Sequence, residues 1–172
     1  MSNKDLLKMI KDNDVEYVDI RFTDPRGKLQ HVTVVADLVD EDFLEEGFMF
    51  DGSSIAGWKA IDQSDMKLML DPASAYLDPF YAEKTVCVHC SVCEPDTGEA
   101  YDRDPRGTAE KAEAYLKSTG IGDVSYFGPE AEFFLFDDVR FQVGINKVSY
   151  QVDATDASWN TDTEYEMGNT GH

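Results

Sequence analysis

The chain has 172 residues, enough for one domain or for a small domain followed by part of a second. Its 35 acidic and 15 basic residues give a formal net charge of −20. This charge argues against nucleic acid and against an anionic membrane surface, because no Lys or Arg cluster is present to contact phosphates. No apolar run approaches the roughly 20 residues of a spanning helix, and the N-terminus lacks the features of a signal peptide. We therefore expect a cytoplasmic protein.

Local signals in the first part of the chain predict two helices and a hairpin. Ser2 is a suitable N-cap for a leading helix that reaches about residue 12 or 13. Apolar and polar residues then alternate over 17–24 and 29–35, and the Asp24-Pro25-Arg26-Gly27 turn between them favours a β-hairpin. A second short helix is expected over residues 37–46, opened by Asp37 and closed by Gly47.

Two further strands complete a predicted α+β domain. Residues 66–70 and 84–92 have strand patterns, and a hairpin, a helix and returning strands together resemble a β-grasp plan. We place this domain at residues 13–102, after the leading helix of residues 1–12. Asp104 as N-cap and Pro105 at the first helical position begin a new helix that ends at Gly120. A second, incomplete domain over residues 104–172 would contain this helix and one more strand.

The three cysteines are spaced C-x2-C-x2-C, which superficially resembles an iron–sulfur motif. Strand alternation separates them, because Cys90 shares a face with neighbouring valines while Cys87 and Cys93 point to the other side. A cluster would also require a fourth thiolate. We expect buried, reduced thiols.

Two acidic residues, Glu130 and Glu132, lie in an aromatic run near the end of the chain. On a strand they would share one face, with Cα atoms roughly 6.5 Å apart, a separation that suits adjacent divalent ions. Aromatic neighbours (Phe133, Phe134 and Phe136) would make this site dry, and buried carboxylates there would require metal ions or basic partners. The alternative is a half-exposed strand with two solvated glutamates.

An Asx- and Ser-rich turn follows an apolar segment at Asp51-Gly52-Ser53-Ser54. Such turns are mostly structural, because their side chains hydrogen-bond the nearby backbone. In a small-residue loop between aromatic residues, however, Asp51 could also hold a cationic ligand and take its proton. Trp58 is expected to be a core or interface residue. His31 and His89 have no visible partner and are expected to be structural.

Taken together, four segments of this chain resemble the N-terminal part of bacterial type I glutamine synthetase. The quoted motifs are Phe22-Thr23-Asp24-Pro25-Arg26-Gly27-Lys28 with His31-Val32-Thr33, Phe50-Asp51-Gly52-Ser53-Ser54 with Gly57-Trp58-Lys59, Tyr101-Asp102-Arg103-Asp104-Pro105-Arg106, and Phe127-Gly128-Pro129-Glu130-Ala131-Glu132-Phe133-Phe134. Ala131 departs from the proline usual in the family, but the spacing of the two glutamates is kept.

The resemblance implies a β-grasp domain followed by the start of a larger catalytic domain, and ATP-dependent ligation of ammonia to glutamate through γ-glutamyl phosphate. It implies that Glu132 ligates a structural Mg²⁺ or Mn²⁺ ion beside the glutamate site and that Glu130 ligates a second ion against the nucleotide phosphates. Asp51, with Ser54 beside it, would bind ammonium and help to deprotonate it in the neighbouring subunit's site. The family forms a homo-oligomer of two stacked hexameric rings, and Trp58 would pack at a subunit interface.

Members of that family are much longer than 172 residues, and residues 166–172 resemble the start of a motif that continues. The resemblance therefore predicts an N-terminal fragment of a nitrogen-assimilation ligase, inactive alone. The alternative is a stand-alone acidic β-grasp module that binds divalent metal or a protein partner without catalysis.

Overall fold

A computed structural model describes residues 1–154, 157 and 159, and the expected motif start at residues 166–172 lies outside the described residues. The chain divides into two compact units, residues 1–125 and 126–172. The predicted domain boundary near residues 101–104 stays a prediction. Within the described residues, no helix is both long and apolar enough to cross a membrane.

The first unit is a mixed sheet with helices. Its elements are α1 (Asn3–Asp12), β1 (Tyr17–Thr23), β2 (Leu29–Val35), α2 (Glu41–Glu46), β3 (Phe48–Asp51), β4 (Asp65–Leu70), β5 (Tyr76–Leu77), β6 (Thr85–Cys93) and α3 (Pro105–Thr119). The strands lie in the order β2-β1-β6-β4-β3, and β5 pairs with β6. The β1–β6 pair is parallel, whereas β1–β2, β3–β4, β4–β6 and β5–β6 are antiparallel.

The core of the first unit is built from alternating residues of the central strands. β1 contributes Val18 and Ile20, each fully buried, and α1 contributes Leu6. β6 is buried along nearly its whole length, as expected for a central strand that is covered on both faces. Other fully buried core residues are Met66, Leu68, Val86, Val88 and Val92.

Three predicted elements are confirmed with their local signals. Ser2 caps α1 in a capping box with Asp5, and the β1–β2 hairpin runs in register from Tyr17 opposite Val35 to Thr23 opposite Leu29. Asp104 caps α3, and that helix ends at Gly120 in the left-handed conformation.

The predicted second helix begins later than the sequence suggested. Residues Ala36–Leu38 form a separate 3-10 turn, Val39 is extended, and α2 starts after Asp40 rather than at Asp37. The Asp40 carboxylate accepts a hydrogen bond of 2.8 Å from the Phe43 backbone N–H, so it supplies the N-cap. The predicted end at Gly47 is confirmed.

The cysteine prediction is confirmed, because Cys87, Cys90 and Cys93 are free and buried. Burial raises the pKa of the Cys87 thiol to about 11 and that of Cys90 to about 12. His31 has a partner that was not visible in the sequence. Its Nδ1 lies 2.7 Å from the carboxylate of Asp19, a buried residue across the hairpin.

The second unit contains a hairpin of β7 (Asp138–Val143) and β8 (Val148–Asp153). The strand predicted through Glu130 and Glu132 was wrong, because residues 124–136 lie outside every helix and strand. A strand is defined by a hydrogen-bonded neighbour, and within the described residues none pairs with this segment.

Replacement of Asp104 by alanine is expected to destabilise the first unit by about 2–4 kcal/mol. The carboxylate caps α3 through Arg106 N–H at 3.0 Å and also accepts from the buried Val92 N–H at 2.9 Å. Loss of a cap costs about 1 kcal/mol, and an unsatisfied buried donor costs about 1–3 kcal/mol.

Urea unfolding monitored by circular dichroism measures this effect. The matched control is Asp102→Ala, because Asp102 is exposed and, among the described residues, its side chain pairs with Lys111. Equal unfolding midpoints for the two variants would contradict the bridging role of Asp104.

Candidate functional site

The Asp51 turn begins where β3 ends. β3 is an edge strand, and its last residue, Asp51, lies opposite Asp65 of β4. The sequence predicted a turn that begins at Asp51, but Asp51 belongs to β3. Residues Gly52–Ser54 then form a 3-10 turn.

Gly52 fixes the position at which this turn leaves the sheet. Its N–H donates to Ser64 O at 2.6 Å. A Cβ at this position would overlap the side chain of Met66, which is fully buried. Only glycine therefore allows the backbone to approach β4 so closely.

The Asp51 carboxylate is held by its own turn. One oxygen accepts hydrogen bonds from Ser53 Oγ at 2.6 Å and from Ser53 N–H at 2.8 Å. The side-chain bond and then the backbone bond lower the pKa of Asp51 below its usual value. Asp51 and Ser54 are both exposed. The turn thus presents an ionised carboxylate to solvent, which is the chemistry required to hold a cation.

The end of the loop is anchored by Trp58. This side chain is 5% exposed, and its ring lies 5.5 Å from Phe22, 6.0 Å from Phe50 and 5.6 Å from Tyr101, measured between centroids. Its indole N–H has no hydrogen-bond partner among the described residues. Of the core and interface roles considered for Trp58, the structure favours the core of its own chain.

Two cations near the Asp51 turn were not identified from the sequence. Arg103 donates to Gly57 O at 2.6 Å and to Trp58 O at 3.3 Å. Lys59 pairs with Glu94 at 2.8 Å, and its ammonium lies 5.2 Å from the centroid of the Tyr101 ring. Both cations belong to motifs quoted for the family resemblance, but nothing in the local pattern indicated their contacts.

Glu130 and Glu132 lie in the second unit, and both are exposed. The dry surroundings expected for them are not observed, because Phe133 and Phe134 are 77% and 84% exposed. Among the described residues no group of three or more His, Cys, Asp or Glu side chains could hold a metal ion. The two carboxylates have the donor type that Mg²⁺ and Mn²⁺ prefer, but the described residues do not supply enough donors. Their role as metal ligands stays a prediction.

Comparison with known proteins identifies the class. The family model described as the β-grasp domain of glutamine synthetase matches residues 14–95, and the model of the glutamine synthetase catalytic domain matches residues 102–170. The chain therefore belongs to the glutamine synthetase family and corresponds to its N-terminal region. The predicted α+β class, with a β-grasp domain and part of the catalytic domain, is confirmed.

Curated relatives agree with this assignment. A glutamine synthetase of Cereibacter sphaeroides is 77% identical over 168 residues, which cover 98% of this chain and 36% of the relative. That of Rhodobacter capsulatus is 73% identical over 169 residues, covering 98% of this chain and 38% of the relative. The chain thus spans little more than a third of the length of these relatives.

A solved structure shares the fold. The glutamine synthetase of Plasmodium falciparum, determined by cryo-electron microscopy, gives a TM-score of 0.69 at 24% identity. The match covers 91% of this chain and 30% of that protein. At this identity the likeness supports the fold alone.

The variant Ser53→Ala is expected to raise the pKa of Asp51 toward its ordinary value. The substitution removes the hydroxyl bond, which is the largest cause of the lowering, and keeps the backbone bond. The pKa should therefore recover only in part. An NMR titration of the carboxyl carbon measures it, with Ser54→Ala as the matched control, and an unchanged pKa in Ser53→Ala would refute this account.

Proposed function

We propose that the chain is the N-terminal part of an ATP-dependent ligase that makes glutamine from glutamate and ammonia through γ-glutamyl phosphate, in nitrogen assimilation. The observation that carries the proposal is the Asp51 turn, an ionised and exposed carboxylate held in a fixed position on a chain of this family. The proposed domains are residues 13–102 and 104–172.

Asp51 would bind the ammonium substrate, with Ser54 beside it. The hydrogen bonds from Ser53 favour the charged carboxylate, and a carboxylate attracts a cation most strongly when water is excluded around the pair. A lowered pKa also makes Asp51 a weak proton acceptor. Its contribution to deprotonation would therefore depend on the closed site, in which burial raises the affinity of a carboxylate for a proton.

Glu130 and Glu132 would supply carboxylate ligands for two divalent ions, Mg²⁺ or Mn²⁺, with Glu132 next to the glutamate site and Glu130 next to the nucleotide phosphates of ATP. Such ions neutralise the charge that develops on a transferred phosphoryl group. Because the described residues provide too few donors, the remaining ligands would come from other parts of the full enzyme. In this chain the two glutamates contribute charge and ligand atoms only.

The complete enzyme would be a cytoplasmic homo-oligomer of two stacked hexameric rings. Asp51 and Ser54 are exposed on an edge of the sheet, a position from which they could act in a neighbouring subunit's site. This geometry supports an active site shared between subunits.

The purified 172-residue chain is expected to be inactive alone. It offers too few ligands for the ions on which phosphoryl transfer depends. A γ-glutamyl transfer assay with Mn²⁺ checks this, using the full-length Cereibacter sphaeroides relative as the positive control. Turnover by the chain itself would contradict the prediction.

The role of Asp51 is best tested in a chimera, in which this chain replaces the matching segment of the Cereibacter sphaeroides enzyme. We expect Asp51→Asn to raise KM for ammonium by about 100-fold, since truncating one partner of a charge pair that becomes desolvated costs 2–5 kcal/mol. The KM for glutamate should change little. The control Asp62→Asn removes another exposed carboxylate of the same unit, and an ammonium KM unchanged in Asp51→Asn would refute the assignment.

A binding module without catalysis is the second candidate, favoured by the compactness of residues 1–125, which enclose their own core. Calorimetric titration of the chain with Mn²⁺ separates the two. Two solvated glutamates should bind the ion weakly and without clear saturation. Saturable binding that survives Glu130→Gln and Glu132→Gln would favour the binding module.

A further inference from the structure

We propose that Arg103 is a positioning residue for ammonium binding, because it fixes the far end of the loop that carries Asp51. This inference rests on the proposed function of Asp51. The contact joins the segment after β6 to the loop after β3, and both lie in the first compact unit. Loss of this contact would therefore affect ammonium binding selectively, because the loop presents Asp51 and Ser54 and no other proposed site residue.

The guanidinium acts on two consecutive carbonyl groups. Arg103 Nη1 donates to Gly57 O at 2.6 Å and to Trp58 O at 3.3 Å. Gly57 has a φ of +86°, so the chain turns sharply at the point that Arg103 holds. A charged donor makes a stronger hydrogen bond to a carbonyl than a neutral donor does.

The backbone on either side of Arg103 is itself fixed. Tyr101 N–H donates to Val92 O at 2.9 Å, and Asp104 N–H donates to Tyr101 O at 3.0 Å. The Tyr101 ring packs edge-on against Trp58, and Asp104 is 1% exposed. The backbone that carries Arg103 is therefore already ordered, and only the rotamers of its side chain lose entropy when the guanidinium contacts the loop.

A chain of turn hydrogen bonds connects this anchor to the carboxylate. Trp58 N–H donates to Ile55 O at 3.2 Å, and Ile55 N–H donates to Gly52 O at 3.1 Å. Ile55 is 8% exposed, so the middle of the loop is also packed. Because Gly52 directly follows Asp51, a shift of residues 57 and 58 would reach the carboxylate through two consecutive turns.

The neighbouring lysine does not duplicate this contact. Lys59 directs its ammonium at Glu94 and at the Tyr101 ring. A single Arg103 nitrogen, Nη1, makes both contacts, and the ammonium of a lysine would lie one bond closer to the backbone. Replacing Arg103 by lysine should therefore restore only part of its effect.

The test uses the chimera described above. We expect Arg103→Gln to raise KM for ammonium about tenfold while KM for glutamate and for ATP stay within about twofold, since small displacements of a positioned group lower catalytic efficiency by up to about 100-fold. Arg103→Lys should give an intermediate ammonium KM. The matched control is Lys111→Gln, which removes an exposed cation of the same unit that pairs with Asp102.

The outcomes separate this inference from the proposed function. If Asp51→Asn raises the ammonium KM but Arg103→Gln leaves it within twofold, the role of Arg103 is overturned and that of Asp51 stands. If Asp51→Asn leaves the ammonium KM unchanged, the proposed function itself fails. Arg103→Gln could instead raise KM equally for all three substrates, or lower only the thermal midpoint. Either outcome would show a merely structural role and overturn the inference. If Arg103→Gln fails to assemble, Arg103→Lys decides by the same criterion.

Discussion

The parallel pairing of β1 with β6 is the constraint on which the first unit depends. Parallel neighbours cannot be joined by a tight turn, so a long connection must join β1 to β6 between Thr23 and Thr85. That connection supplies β2, α2, β3, β4 and β5, and it carries the Asp51 turn. The Asp51 turn is therefore part of the connection between β1 and β6. The two ends of this connection are fixed by those two central strands.

Buried side chains hold the exposed groups of the Asp51 turn in position. Asp51 and Ser54 are exposed, yet the residues beneath them are not: Met66 is fully buried, and Trp58 is 5% exposed. An exposed carboxylate on a flexible loop would lose conformational freedom whenever it bound a cation. Packing of the loop lowers that loss before any ligand arrives.

The sequence predicted those elements whose signals are local. The Ser2 cap, the Asp24–Gly27 turn and the Asp104-Pro105 start each depend on a few adjacent residues. The start of α2 could not be predicted, since Asp37 and Asp40 carry the same capping signal and the extended backbone at Val39 decides between them.

The parts that sequence reasoning missed depend on distant residues. His31 meets Asp19 across a hairpin, and Arg103 meets the Asp51 loop from 45 and 46 residues away along the chain. The prediction of a strand at Glu130 was wrong for the same reason. Alternation of side chains describes one strand and does not indicate whether a neighbouring strand pairs with it. The turn at Asp51 was found because its small polar residues, next to aromatic ones, mark it locally.

The burial of the three native thiols gives this chain a practical advantage for spectroscopy. Cys87, Cys90 and Cys93 are its full complement of cysteines, and each has a raised pKa, so few thiolates are available to alkylating reagents near neutral pH. A single cysteine introduced at the exposed Ser54 position would react with a maleimide fluorophore or spin label in preference to them. The wild-type sequence thus already serves as a low-background host for distance measurements that begin at the Asp51 loop.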